Sequence, residues 1–206
     1  MAHSDPTYTY KFILLGDLDV GKTSFFLRLK HGTYDQDNAY RGAEPDQLEY
    51  TLVVDGDTVK IYLFDTCGLE QFRTLTSNYY RDAGAILLFY SVEDLYTLSN
   101  LYQWVEDAEG SVEKEASEIT WALIGNKCEM PQVISEESIQ QFCKDRLNTE
   151  LSFYVSAKSG ENVVNAFEAI VAAVHRKKLG VSTNNSVARP NVTLKPVVQK
   201  KVKCSC

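Results

Sequence analysis

The sequence predicts an α/β fold: a mostly parallel six-stranded sheet with one antiparallel edge strand and helices on both faces. Three observations predict it. Six short apolar runs alternate with stretches of helical periodicity, the pattern of strand–helix units that build a parallel sheet. Two of the runs are joined by Asp55-Gly56-Asp57, which is hairpin chemistry and supplies the antiparallel pair. A glycine-bracketed segment, Gly16 to Thr23, separates the first run from the first helix and matches a strand-to-helix motif.

The elements follow in order. Lys11–Leu15 is a buried strand and Thr23–Lys30 the helix behind it. Leu48–Val54 and Val59–Phe64 are the two arms of the hairpin. Ala85–Tyr90, Trp121–Gly125 and Phe153–Val155 are the remaining strands, each a short apolar run. Leu98–Ala108, Ser135–Arg146 and Val163–Lys177 read as helices, and Ser135 with Glu136 and Glu137 behind it is a good helix start. From about Leu179 periodicity stops. Residues 1–178 are therefore expected to form one domain, and 179–206 a flexible basic tail rich in Val, Asn, Thr and Lys.

Composition narrows the class. The chain has 206 residues, enough to bury a core without disulfide staples. No apolar run reaches the length of a membrane span, and Met1 to Tyr10 has no apolar signal-peptide core. The five cysteines (Cys67, Cys128, Cys143, Cys204, Cys206) show neither disulfide-framework nor zinc-ligand spacing and read as reduced thiols. The net charge of −7 is unevenly spread: all 28 acids and 13 of the 21 Lys and Arg lie in residues 1–168, and the other 8 basic residues follow with no acid among them. An acidic body argues against broad nucleic-acid binding. A basic tail suits an anionic membrane face or simply a solvated linker.

Gly16-Asp17-Leu18-Asp19-Val20-Gly21-Lys22-Thr23 fits G-x-x-x-x-G-K-[ST] in the strand–helix context that motif requires. Main-chain N–H groups and a helix N-terminus attract phosphate there. Lys22 would reach the β- and γ-phosphates and the Thr23 hydroxyl a Mg²⁺ ion. Asp65-Thr66-Cys67-Gly68 ends the fourth element, placing an acid where open α/β sheets bind ligands and where it can hold Mg²⁺ directly or through water. Asn126-Lys127-Cys128-Glu129 and Ser156-Ala157-Lys158 follow the last two strands and resemble the segments with which small GTPases hold guanine; the resemblance implies that an acid in the former accepts from guanine N1–H and its exocyclic amine. Each short motif alone is common. Four in this order, each at a strand end, are specific.

These residues resemble the Ras superfamily and, within it, the Rab family, over about Tyr8 to Arg176 and again at the last three residues. Phe72-Arg73-Thr74-Leu75-Thr76 and Tyr79-Tyr80-Arg81-Asp82-Ala83 look like the Rab pattern in and after the second switch. Cys204-Ser205-Cys206 resembles the Rab ending that carries two geranylgeranyl groups, and two chains are what stable anchoring requires. The resemblance implies the small GTPase fold with GTP or GDP and Mg²⁺ as cofactors. It implies nucleotide contacts from Asp19, Val20, Gly21, Lys22, Thr23, Ser24, Gly68, Asn126, Lys127, Glu129, Ser156, Ala157 and Lys158, with Thr23 and Asp65 on the metal and lipids on Cys204 and Cys206. It also implies effectors, an exchange factor, GTPase-activating and escort or extraction proteins as partners. The expected place is the cytosolic face of an endomembrane or vesicle.

The chain also departs from the pattern. Leu69 stands where a Gln usually orients the attacking water, and a leucine side chain has neither donor nor acceptor. The adjoining Phe72-Arg73-Thr74 fixes the register, so Gln71 is not a displaced substitute, and the charge on Glu70 would repel the γ-phosphate. No catalytic residue is therefore assigned. Leu18 takes a loop position that is often Gly or Ser and would obstruct an incoming arginine finger. Asp19 replaces a Gly and brings negative charge toward the phosphates, though Asp tolerates unusual backbone angles. Arg41 or Gly42 aligns with the first-switch Thr, and no Thr lies between Tyr34 and Tyr50. Glu129 replaces the guanine-reading Asp, moving the carboxylate by about one C–C bond (~1.5 Å), a shift that either weakens base reading or is absorbed by backbone adjustment. Three readings follow: a Rab-like switch with slow or impaired intrinsic hydrolysis, a non-cycling scaffold, and an ATP-binding protein that would carry adenine nucleotide.

Overall fold

The computed structural model describes residues 8–34, 47–66, 80–111 and 119–180. Six strands form one sheet: β1 (Tyr8–Gly16), β2 (Gln47–Val54), β3 (Asp57–Asp65), β4 (Ala83–Ser91), β5 (Thr120–Asn126) and β6 (Ser152–Tyr154). Their order across the sheet is β2-β3-β1-β4-β5-β6. All neighbours pair parallel except β2 with β3, the expected edge hairpin. Its turn holds Asp55 at φ 51° and Gly56 at φ 98°, both left-handed, which is why an Asp-Gly pair closes it. Val54 pairs with Asp57 directly across that two-residue turn.

Alternation along the strands sends side chains to two cores. Phe12 and Leu14 of β1, with Ala85, Leu87 and Phe89 of β4, pack under α1 (Lys22–His31) and a C-terminal helix, Val163–Lys178. Ile13 and Leu15, with Ile86, Leu88 and Tyr90, pack on the opposite face under the helices that follow β4 and β5. Those are α2 (Leu95–Ser99), α3 (Leu101–Ser111) and α4 (Glu136–Phe142), and the C-terminal helix is therefore α5. Helices thus cover both faces.

Most expected elements are present, with shifted ends. The helix expected over Leu98–Ala108 begins earlier, because Asp94 caps it by accepting from the Tyr96 N–H, and it is broken at Asn100 into α2 and α3. Ser135 caps α4 as expected, accepting from the Ser138 N–H. That helix does not run evenly to Arg146: Cys143–Leu147 widens into a π-helical turn closed by Asn148 at φ 46°. Helix α5 ends one residue beyond expectation, and Gly180 follows at φ 70° with its N–H on the Lys177 carbonyl. No helix among the described residues is long and apolar enough to cross a membrane.

Candidate functional site

Parallel pairing brings four motifs to one edge. β1 ends at Gly16, β3 at Asp65, β5 at Asn126, and β6 leads through Val155 to Ser156. β1 lies between β3 and β4, and the helix after β1 covers one face while those after β4 cover the other. A crevice opens at such a switch point, outside the carboxyl ends of the strands.

The loop from Gly16 to Thr23 is shaped by its glycines. Gly16 sits at φ 141°, and a Cβ there would lie 2.3 Å from the Phe89 carbonyl oxygen. Gly21 sits at φ 92°, and a Cβ there would lie 2.1 Å from Asn126 Nδ2. Asp19 is left-handed at φ 60°, consistent with the tolerance expected of Asp in place of Gly. Val20 is buried, whereas Leu18 and Asp19 are exposed. Asp17 fastens the loop to the far face: Trp104 Nε1 donates to its Oδ1 at 2.8 Å and Asn100 Nδ2 to its Oδ2 at 2.6 Å. The break between α2 and α3 thus places Asn100 on the loop.

Lys22 is buried, and its Nζ donates to the carbonyls of Gly16 (2.7 Å) and Asp17 (2.5 Å). Those bonds lay the ammonium along the inside of the loop. Helix α1 begins there with Gly21 as N-cap and no side-chain cap bond. This is the donor set an anionic phosphate chain fits: a bent main chain, a helix N-terminus and a fixed cation. Thr23 and Ser24 are half-buried on the first turn of α1. Asp65 is buried at the end of β3, opposite Leu14 of β1 in register, and Thr66 Oγ1 donates to the Leu14 carbonyl at 2.8 Å. A hydroxyl and a carboxylate at this edge are oxygen donors of the kind Mg²⁺ takes, so Thr23 and Asp65 suit the metal that would neutralise phosphate charge.

Asn126 joins the loops. Its Nδ2 donates to the Val20 carbonyl at 2.8 Å and its Oδ1 accepts from the Ala157 N–H at 3.0 Å. One buried amide therefore fixes the phosphate loop against the Ser156–Lys158 loop. Ser156 is fully buried, its N–H on the Glu161 carbonyl and its Oγ accepting from the Ser159 N–H. Lys127 is left-handed at φ 65° and its Nζ meets Glu93 Oε1 at 2.8 Å. That ion pair holds the Glu93 carboxyl below the usual carboxylate range. Glu129 and Lys158 are exposed. Burial pushes the Cys128 thiol up, helped by Glu161 and Glu129, so it stays protonated.

Gly68, Leu69, Arg41, Gly42, Cys204 and Cys206 lie outside the described residues, as does Phe72–Thr76. Sequence reasoning missed Asp17, Glu93, Asn100, Trp104 and Arg28. Only Asp17 lies inside a motif; Asn100 and Trp104 come to the edge through the break at Asn100, Arg28 through the docking of α1, and Glu93 from the turn after β4, which no local pattern announces.

The fold and this edge define a P-loop nucleotide-binding α/β protein. Residues 11–176 match the family model described as Ras family. The chain is 35% identical over 203 residues to Ras-related protein RABD2c of Arabidopsis thaliana, covering 96% of each, and 34% identical to RABD2b of the same plant, again over 96% of each. It is 33% identical to GTP-binding protein YPTM1 of Zea mays, over 84% of this chain and 81% of that one. The chain belongs to the Ras family and is a Rab-type small GTPase by descent. Members of that family bind GTP or GDP with Mg²⁺.

Proposed function

We propose that this protein is a Rab-type GTP-binding switch of very slow intrinsic turnover, acting in vesicle and membrane trafficking by recruiting effectors to a membrane. The observation that carries the nucleotide reading is the Asn126 brace, which ties the phosphate loop to the Ser-Ala-Lys loop and so forms one continuous cradle. In this reading Gly16 to Thr23 hold the phosphates. Asn126, Lys127, Glu129 and the 156–158 loop hold guanine, Gly68 lies against the γ-phosphate, and Thr23 with Asp65 holds Mg²⁺. Slow turnover rests on Leu69, which lacks any polar group to orient water, and on Leu18, exposed within the loop. Cys204 and Cys206 take the lipids that keep the protein peripheral on the cytosolic face of an endomembrane, and escort or extraction proteins carry it between membranes. Exchange and activating factors complete the partner set.

A second reading, a scaffold that binds partners with little switching, is favoured by the lack of any Thr between Tyr34 and Tyr50. A switch segment without that ligand loses a direct link between γ-phosphate and conformation. Chromatography of nucleotide released from the purified protein decides ATP binding, since adenine nucleotide sinks both guanine readings. Single-turnover GTP hydrolysis with Mg²⁺, alone and with a panel of activators, separates the switch from the scaffold. Rates below those of ordinary Rabs without activators are expected, rising in Leu69→Gln. If that change does nothing, Leu18 or the missing Thr is the larger defect.

A further inference from the structure

Arg28 belongs to none of the four motifs, yet each of its guanidinium nitrogens donates to a main-chain carbonyl. Nε reaches Ala157 O at 2.9 Å, Nη2 reaches Lys158 O, and Nη1 reaches Gly32 O at 3.0 Å. Gly160 packs against the same guanidinium and is left-handed at φ 89°, a conformation that favours glycine; a Cβ there would make only ordinary contact, 3.5 Å from Arg28 Cζ. The third contact fixes the plane of the guanidinium, because Gly32 is itself held by its N–H on the Arg28 carbonyl at 2.9 Å. Ala157 is consequently pinned on both sides, its N–H by Asn126 and its C=O by Arg28.

We infer that Arg28 is a positioning residue for base discrimination, anchoring the 156–158 loop to the end of α1. The inference rests on the guanine reading above. Distinguishing guanine from adenine depends on fixed donors and acceptors, and a loop free to shift by a fraction of an ångström loses that selectivity. A planar three-way fork suits the task, and a lysine in its place reaches one carbonyl at a time.

The test uses the full-length protein, stripped of nucleotide and reloaded. Dissociation of GDP and the ratio of GDP to ADP affinity are measured for wild type, Arg28→Ala and Arg28→Lys, with unfolding midpoints as the control for folding. Arg28→Ala is expected to speed GDP release by roughly tenfold or more, the effect of losing one or two charge-assisted hydrogen bonds. It should narrow the GDP:ADP ratio by a similar factor, because ADP relies on the phosphate loop, which Arg28 does not touch. Arg28→Lys should fall between, and it carries the test if the alanine variant does not fold. Unchanged GDP release and ratio in the folded variants, or equal losses for GDP and ADP, overturn the positioning role alone. A wild-type protein that holds GDP no better than ADP overturns the guanine reading and this inference with it.

Discussion

Asn126 shows how much a single side chain carries here. It is 2% exposed and satisfies two main-chain groups from loops more than thirty residues away in either direction. Asn126→Ala would leave the Val20 carbonyl and the Ala157 N–H without that partner, and burying such groups unpaired costs roughly 1–3 kcal/mol each. The expected outcome is a protein destabilised by about 2–6 kcal/mol on the same scale that also fails to retain nucleotide, checked by urea unfolding and by nucleotide content after purification. Gly21→Ala meets the same amide from the other side. Its Cβ would displace Asn126 Nδ2, and φ 92° is strained for any L side chain. It should therefore lose nucleotide as completely as Asn126→Ala. Retention of a full equivalent of nucleotide by Gly21→Ala would show that the brace is dispensable.

Among the elements, the β2–β3 hairpin is tied to α5 by two acids at and beside its turn. Arg176 donates twice to Asp55, at 2.7 Å and 2.9 Å, and the buried His175 meets Asp57 at 3.0 Å and the Tyr10 hydroxyl at 3.0 Å. The hydrogen bond from Arg176 holds the Asp55 carboxyl below its usual range. A depressed folded-state value means the folded protein binds fewer protons, so the pair stabilises at neutral pH and the gain is lost as pH falls below about 4. Asp55→Asn, which keeps the left-handed turn, should lower the unfolding midpoint modestly at pH 7 and by less at pH 3, since the pair is largely exposed. Urea midpoints at the two pH values measure the difference. The hairpin itself was legible from Asp55-Gly56, and the Ser135 cap from its sequence, because both are local. The π-helical turn at Cys143–Leu147 and the break at Asn100 were not. Each depends on a contact made elsewhere in the chain or on packing beneath the helix, which periodicity alone does not encode.

At the scale of the whole molecule, the two cores follow from alternation along the strands and from the rule that parallel sheets carry helices on both faces. The motif residues were legible for the same reason: each sits at the end of an apolar run. The buttresses around them were not: Arg28 and Trp104 lie on helices, and Glu93 in the turn after β4, and what each meets is set by tertiary packing. Charge is distributed at this scale too. An acidic body and a basic C-terminal segment ending in Cys204-Ser205-Cys206 suit a membrane with anionic lipids. Replacing both cysteines with Ser should release the protein from membranes in fractionated cells. Persistent membrane residence would refute the lipid anchor.

The bond from the Trp104 indole to Asp17 has an optical consequence. The chain contains two tryptophans, and this one is 3% exposed with its N–H on a carboxylate inside the phosphate loop. Indole emission responds to the charge and hydrogen bonding at its nitrogen, so the protein carries its own probe of that loop. In a Trp121→Phe background, stripping nucleotide with a chelator should change the emission of Trp104 without any added dye, and refilling the site should restore it.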